Sequence, residues 1–302
     1  LWAERMEPEA LGIETSRTTG APKRVRLSRR AMLSSADATH ARLGGPNRWT
    51  LLLPPTYVAG VQVILRSLRA GHRPDTELTG RGYLSLVPTQ LVRLIETDPE
   101  ALASYAAVLL GGAPIDPALR AKAESIGVRI VATYGMTETS GGCVYDGRPL
   151  GGVQVSLTED QRIRIKGRIL FDGYDDGPAT LDEGGWFVTS DLGSLEDGLL
   201  RVLGRADDVI NSGGVKVPAA VVRERLLAHP QVADAEVLGT PDPEWGEQVT
   251  AFVCGSLTLD EARDWVAADH PRTWAPRRLV CVDGWPLNAN GKIDREALRR
   301  LV

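Results

Sequence analysis

Ala107-Val108-Leu109-Leu110 runs into Gly111-Gly112-Ala113-Pro114, gives way to a segment of helical period from Pro117 to Ile126, and returns as a second apolar run, Val128-Arg129-Ile130-Val131. A short apolar run bounded by Gly and Pro reads as a buried strand, and apolar residues recurring every three or four positions read as one face of a helix. The same alternation extends upstream, where Leu51-Leu52-Leu53 and Leu84-Ser85-Leu86-Val87 are strand-length runs and Ala59 to Leu68 has helical period. Strand alternating with helix from Thr50 to Val131 predicts an α/β fold with a mostly parallel sheet.

After Gly151 the period changes to two, in Gln161-Arg162-Ile163-Arg164-Ile165 and Leu199-Leu200-Arg201-Val202-Leu203, with Gly-rich turns between. That predicts antiparallel strands with one wet face. Beyond Gly204 come a helix opened by Pro218 and running to Ala228, strands at Ala235 to Leu238 and Val249 to Val253, and helices at Leu259 to Ala268 and Asp294 to Leu301. These make a small α+β domain of their own. The expected division is a large N-terminal domain, 1–204, whose β-rich part is about 151–204, and a C-terminal domain, 205–302, with the boundary at the turn Arg205 to Asp208. The connections Asp75 to Gly82 and Gly255 to Leu257 are short for the elements they join.

With 302 residues, 43% hydrophobic and 25% charged, the chain is globular with length for more than one domain, which excludes disordered and fibrous classes. Lys and Arg total 35 against 39 Asp and Glu, and the basic residues are scattered, so nothing draws the chain to nucleic acid or an acidic membrane surface. Cys143, Cys254 and Cys281 are far apart and odd in number, and only four His accompany them; neither a disulfide framework nor a zinc site is expected. A reducing, cytoplasmic setting fits. No run approaches the roughly 20 apolar residues of a membrane span, and the start Leu1-Trp2-Ala3-Glu4-Arg5 lacks a secretory pattern.

Several segments carry chemistry. Thr15-Ser16-Arg17-Thr18-Thr19-Gly20-Ala21-Pro22-Lys23 gathers hydroxyls, glycine and a lysine between an apolar strand-like lead-in and a helix capped by Ser28. Hydroxyl and backbone N–H donors can wrap polyphosphate, with Lys23 as a point charge for a leaving pyrophosphate; alone, the segment reads more readily as a polar surface loop. Gly111-Gly112-Ala113 follows a strand directly, where the crevice of an α/β sheet receives ligands and bare backbone can take a flat base; alone it is a plain turn. Tyr134-Gly135-Met136-Thr137-Glu138, also after a strand, offers an aromatic face for adenine, the Thr137 hydroxyl for an α-phosphate and the Glu138 carboxylate for Mg²⁺. Asp191, between apolar strand residues, suits both hydroxyls of a ribose, and Arg205 can clamp ribose or phosphate from the other side. Lys292 lies in a Gly-rich loop after Pro286 and before a helix with Asp294 as N-cap; by itself it is a surface lysine.

In order along the chain, phosphate loop, Gly-Gly turn, Tyr-Gly-Met-Thr-Glu, Asp191, Gly204-Arg205-Ala206-Asp207-Asp208 and Asn290-Gly291-Lys292 resemble the adenylate-forming superfamily of acyl- and aryl-CoA synthetases, from Thr15 to Lys292. The resemblance implies a carboxylate-activating ligase: acid plus ATP gives acyl-adenylate and pyrophosphate, and the thiol of coenzyme A then gives the thioester and AMP. It makes Thr15, Ser16, Thr18, Thr19 and Gly20 with Lys23 the phosphate site, Glu138 the Mg²⁺ ligand, and Lys292 the group that neutralises charge where the carboxylate attacks. It also implies a mobile C-terminal domain hinged near Asp208, which brings in Lys292 for the first half-reaction and Gly213-Gly214, lining a thiol tunnel, for the second. Arg17 stands where the superfamily has glycine, so either its guanidinium joins phosphate binding or the loop is impaired. Ser190 replaces the usual glycine before Asp191.

Within that superfamily, Ser140-Gly141-Gly142-Cys143-Val144-Tyr145-Asp146-Gly147, Pro54 to Gly60 and Ser85 to Leu91 look like the short actinobacterial o-succinylbenzoate-CoA ligases of menaquinone synthesis. Ser140 and Gly141 then flank the acyl group, and Thr89 and Gln90 are candidates for hydrogen bonds to a substrate carbonyl or carboxylate. Those ligases carry His after Pro-Pro-Tyr where this chain reads Pro54-Pro55-Thr56-Tyr57, which alters the aryl end of the pocket. No carrier segment or Asp-Ser attachment site follows Lys292, so CoA is the expected acceptor. Three alternatives stand beside this reading: another aryl- or fatty-acid CoA ligase, an adenylation enzyme loading a separate carrier, and a catalytically weakened nucleotide binder, for which Arg17 is the argument. A homodimer is left open.

Overall fold

The computed structural model describes residues 10–15, 23–287 and 293–302. The chain divides into two compact units: one takes it through Thr158 with Ile163–Thr189 and Leu195–Arg201, the other takes Glu159–Arg162, Ser190–Ser194 and Val202–Val302.

In the first unit, strands β1 (Ala10–Thr15) and β2 (Lys23–Ser28) form an antiparallel hairpin with Thr15 opposite Lys23. The expected phosphate segment therefore joins two strands, not a strand and a helix. The reason lies in Arg24-Val25-Arg26-Leu27, whose period of two buries Val25 and Leu27 and sets the arginines on the opposite face, Arg24 exposed and Arg26 partly buried. Ser28 does cap helix α1 (Arg29–Leu43), accepting from the Ala31 N–H at 3.3 Å.

Strand β3 (Trp49–Thr50), helix α2 (Val58–Arg69), β4 (Tyr83–Leu86), helices α3 (Pro88–Thr97) and α4 (Pro99–Ala103), β5 (Ala107–Leu110), helix α5 (Pro117–Ser125) and β6 (Ile130–Met136) build the alternating part. β3 to β6 are adjacent and parallel, as the sequence predicts. All four residues of β4 and of β5 are buried, as befits strands covered on both faces. The apolar run Leu51 to Leu53 is not a strand; Trp49 and Thr50 are. Asp75 pairs with Thr50, donating to the Trp49 carbonyl and accepting from the Leu51 N–H, and Pro54-Pro55 then offers no donor to continue the ladder. Because Asp75 already lies at the sheet, the short stretch to Gly82 suffices. In the other short connection, Leu257 is buried and Thr258 already caps the next helix.

β6 does not stop at Val131. It runs through Tyr134, Gly135 and Met136 because β7 (Gly141–Tyr145) pairs with it antiparallel, followed by β8 (Arg148–Pro149). The pairing shifts register between Tyr134 and Gly135, and a Cβ on Gly135 would sit 2.2 Å from the Gly141 carbonyl oxygen. β9 (Val153–Leu157) and β10 (Arg162–Gly167) pair antiparallel with Ile163 and Ile165 buried, and β11 (Gly173–Tyr174) and β12 (Gly177–Pro178) extend the β1-β2 sheet. β13 (Phe187–Glu196) and β14 (Leu199–Arg205) complete a sheet of order β14-β13-β10-β9.

The second unit centres on β15 (Val209–Ser212), β16 (Val215–Pro218), β17 (Val232–Asp242) and β18 (Gly246–Gly255), in the order β16-β15-β18-β17, with β19 (Arg278–Cys281) parallel to β18. Helices α6 (Ala219–Leu227) and α7 (Leu259–Ala267) supply Val222, Leu226, Ala262 and Val266 to its core, and α8 (Arg295–Arg299) packs Leu298 against Leu238 and Phe252. Asp294 caps α8 by accepting from the Ala297 N–H. Among the described residues no helix is long and apolar enough to cross a membrane.

A polar layer lies buried where α1 and α2 meet β3 and β7. The Ser140 carbonyl accepts from Ser35 Oγ at 3.1 Å and Gln62 Nε2 at 2.8 Å, the Thr39 and Tyr145 hydroxyls are 3.0 Å apart, and Trp49 Nε1 donates to His40 Nε2 at 3.2 Å. Burial, then the Arg66 charge, holds the His40 pKa below its ordinary value.

Two outcomes are expected. Gly135→Ala forces its Cβ onto backbone and should destabilise by about 1–3 kcal/mol in urea unfolding, whereas Gly151→Ala, which meets nothing within 4 Å, should stay within about 0.5 kcal/mol; equal effects would refute the close approach. The unfolded chain binds a proton at His40 more readily than the folded one, so His40's contribution is present above a pH of about 6.5 and is lost as pH falls below it. The loss of Tm from about pH 6.5 to 5 should therefore be shallower in His40→Gln; an unchanged slope would refute it.

Candidate active site

Two sets of side chains come together, one in each unit. In the first unit the carboxyl ends of adjacent strands bring the Gly-Gly turn beside the Tyr-Gly-Met-Thr-Glu segment. Leu110 pairs with Ala132, so Gly111 faces Thr133, whose hydroxyl donates to the Leu110 carbonyl at 3.2 Å. A Cβ on Gly111 would lie 2.3 Å from that hydroxyl, and Gly112 has φ +81°, a left-handed conformation that favours glycine. Gly112 and Ala113 are exposed, leaving backbone bare at the strand ends, where α/β sheets take ligands.

After Met136 the chain makes one tight helical turn, Thr137–Thr139, pinned when Thr139 Oγ1 accepts from the Met136 N–H and donates to the Gly141 carbonyl. The turn presents Thr137 and Glu138 half-exposed. Glu138 accepts from the Tyr174 hydroxyl at 3.0 Å, and its carbonyl accepts from the Phe171 N–H. Lys23 Nζ sits 4.5 Å from the centroid of the same Tyr174 ring, while Thr15 Oγ1 donates to the Lys23 carbonyl. Tyr174 thus holds the candidate metal carboxylate through its hydroxyl and the candidate phosphate lysine through its face. The sequence reading missed Tyr174; a lone aromatic in a Gly- and Asp-rich turn carries no periodic or spacing signal.

Among the described residues no three His, Cys, Asp or Glu gather into a metal cage. A single carboxylate beside a hydroxyl fits Mg²⁺ all the same, because that ion is bound through one or two carboxylates and the phosphates of its substrate.

Two of the four candidates for the acyl group, Ser140 and Gln90, are engaged structurally. Ser140 is fully buried at φ +55° and its hydroxyl donates to the Ile169 carbonyl at 2.8 Å. Gln90, expected to meet a substrate carbonyl, spends both ends of its amide on backbone: Oε1 accepts from the Val87 N–H at the start of α3 and Nε2 donates to the Leu52 carbonyl. Gly141 is buried and Thr89 exposed.

A group the motifs did not flag is Arg66 on α2, with 4% of its surface exposed. Its Nη2 reaches the Tyr145 hydroxyl at 3.5 Å, its guanidinium carbon lies 5.1 Å from the Trp49 ring, and its Nε has no hydrogen-bond partner. No carboxylate pairs with it among the described residues, and burial lowers its pKa. Gln62, one turn earlier on α2, holds the Ser140 carbonyl, so the helix ties Arg66 to the Thr137–Gly141 turn. The signal was legible: in the helical period of 59–68 an arginine occupies a position on the apolar stripe with Val63.

In the second unit Asp191 and Arg205 lie 3.9 Å apart, and Arg205 also pairs with Asp207. Asp208 accepts from Arg295 at 2.7 Å, and Arg295 bridges to Glu236, whose carboxyl is pushed up by burial. Gly213 and Gly214, at φ +58° and +82°, form the two-residue turn between β15 and β16, and Trp245 packs where a Cβ of Gly213 would stand. Ser16, Arg17, Thr18, Thr19, Gly20 and Lys292 lie outside the described residues.

The chain matches the AMP-binding enzyme family over residues 10–172 and the AMP-binding enzyme C-terminal domain over 222–292. It is 43% identical to a probable 2-succinylbenzoate–CoA ligase of Mycobacterium tuberculosis, covering 96% of this chain and 84% of that protein. The structure of o-succinylbenzoate CoA synthetase (MenE) from Bacillus subtilis in complex with the acyl-adenylate intermediate OSB-AMP aligns with a TM-score of 0.80 at 27% identity, covering 95% of this chain and 68% of that one. The same enzyme in complex with ATP and magnesium ion aligns with a TM-score of 0.80 at 27% identity over 95% and 69% of the two chains. Strand ends, glycine-spaced turns and the matches along both units agree, and the chain belongs to the AMP-binding enzyme family.

Proposed function

We propose that this chain is an AMP-forming 2-succinylbenzoate–CoA ligase of the cytoplasm, joining 2-succinylbenzoate to CoA through an acyl-adenylate. The observation that carries the substrate is Arg66. A 2-succinylbenzoate has two carboxylates, one on the succinyl arm and one on the ring, and only one can be activated at a time. The other is an anion to be held among apolar and aromatic groups. A buried guanidinium without a carboxylate partner among the described residues suits that role, since leaving such a charge unpaired costs several kcal/mol unless a ligand completes it.

In the adenylation step Lys23 would set its charge against the leaving pyrophosphate and Thr137 would donate to the α-phosphate. Tyr134 and the bare backbone of Gly111, Gly112 and Ala113 would take the adenine, and Asp191 with Arg205 the ribose. Glu138 would hold Mg²⁺, which when bound supplies neutralisation of the phosphate charges. Lys292 would stabilise charge as the carboxylate attacks phosphorus. We place the domain boundary at Arg205 to Asp208, with rotation there exchanging Lys292 for Gly213-Gly214 before the thiol attacks.

The first test is pyrophosphate release with ATP and Mg²⁺ on a panel of acids led by 2-succinylbenzoate, then CoA thioester detection. Release with another acid alone would move the enzyme to a different CoA ligase, thioester only on a carrier would change the acceptor, and silence throughout would leave a nucleotide binder with Arg17 as its cause. Lys292→Ala should slow adenylation by about 10²- to 10³-fold and spare thioester formation from supplied acyl-adenylate; equal loss of both would refute alternation. Arg66→Met should abolish selection of the diacid yet raise the stability of the free protein by about 1 kcal/mol or more, read by urea unfolding; a fall in stability would mean Arg66 is structural.

A further inference from the structure

Arg66 raises a question of placement. A protein carboxylate beside an arginine that must meet a ligand carboxylate would take up to two of its five N–H groups and offset its charge. Yet a long side chain with four flexible bonds needs some fixed partner to lie ready. The Tyr145 hydroxyl is a weak tether, at 3.5 Å and already shared with Thr39 at 3.0 Å.

A second neighbour is the Trp49 ring, 5.1 Å from the guanidinium carbon and fully buried. Trp49 is itself held from two sides. Its Nε1–H donates to His40 Nε2 at 3.2 Å, and its ring packs at 58° on Tyr83 with centroids 5.0 Å apart. Tyr83 in turn donates its hydroxyl to the Leu43 carbonyl at 2.8 Å. An aromatic face attracts a cation while accepting none of its N–H bonds, so the ring can orient the guanidinium without spending its donors. To accept from the indole, His40 Nε2 must be unprotonated. The groups facing His40 favour that state: Arg66 and Arg69 of α2 oppose a second cation, Asp37 of α1 is the one opposing influence, and Trp49 of β3 contributes no charge.

We infer that Trp49, locked by His40, is the positioning residue that lays out Arg66 for the second carboxylate of the substrate and so sets the preference for diacids over monoacids. This rests on the proposed role of Arg66. The occupant is identified by chemistry: an aromatic keto acid bearing two carboxylates, one activated and one lodged on a guanidinium held by an aromatic face.

The test compares kcat and KM for 2-succinylbenzoate with those for two monoacids, 4-oxo-4-phenylbutanoate and 2-butyrylbenzoate, each lacking one carboxylate. Whichever of them turns over is the control. The ratio of kcat/KM values on one preparation does not depend on how much of it is folded. Trp49→Leu should lower the diacid-to-monoacid ratio by about tenfold or more, through KM for the diacid, with kcat and KM for ATP unchanged. Trp49→Phe, which keeps the face, should stay within about threefold of the parent enzyme. Arg66→Gln should abolish the preference. If Arg66→Gln leaves the ratio intact, the substrate reading fails. If Arg66→Gln abolishes the preference and Trp49→Leu does not change it, the reading stands and the positioning inference is overturned. An equal loss in Trp49→Phe also overturns placement by the ring face, and parallel loss toward both acids and ATP would reduce Trp49 to a core residue.

Discussion

The first unit depends on the contact of two strands at Gly135. β6 arrives as the last of four parallel strands and leaves as the partner of an antiparallel one, and the reversal takes place within the single turn Thr137–Thr139. Backbone meets backbone so closely there that no side chain fits. The consequence spreads outward. The turn faces the carboxyl ends of β5 and β6, it presents Glu138 to Tyr174, and its last carbonyls receive Ser35, Gln62 and Thr139. Topology, nucleotide-side chemistry and the buried polar layer are all fastened at one place.

Much of this was readable from residues. Apolar runs of four with helical segments between them could satisfy their backbone only as covered parallel strands, and β4 and β5 are buried throughout. Ser28 and Asp294 act as caps because their oxygens meet N–H groups that no helical carbonyl reaches. The misreadings share a cause. Leu51 to Leu53 looks like a strand, but the two prolines that follow withhold donors, and only the distant Asp75 reveals where pairing ends. The segment after Thr15 looked like a loop leading to a helix because Lys23 to Ser28 was read by its capping residue and not by its period of two.

Gln90 and Tyr174 mark the limit more sharply. Gln90 has the chemistry of a substrate contact, and only its two backbone partners, Val87 and Leu52, show that it is occupied. Tyr174 has no motif of its own and gains its place because β11 pairs with β2 and sets it between Lys23 and Glu138. Pair contacts across strands distant in sequence are not written in local spacing. Arg66 is the intermediate case, visible as an anomaly on an apolar helical face but silent about its purpose until its neighbours are known.

That anomaly ties the lifetime of the molecule to its surroundings. A cation kept in the interior with no carboxylate beside it among the described residues costs stability, and an anion that reaches the guanidinium would add its binding free energy to folding. The small unfolded fraction would then shrink as the supply of that anion rises. Proteolysis acts on the transiently opened chain, so an anion seated on that guanidinium would slow cleavage as well as raise stability.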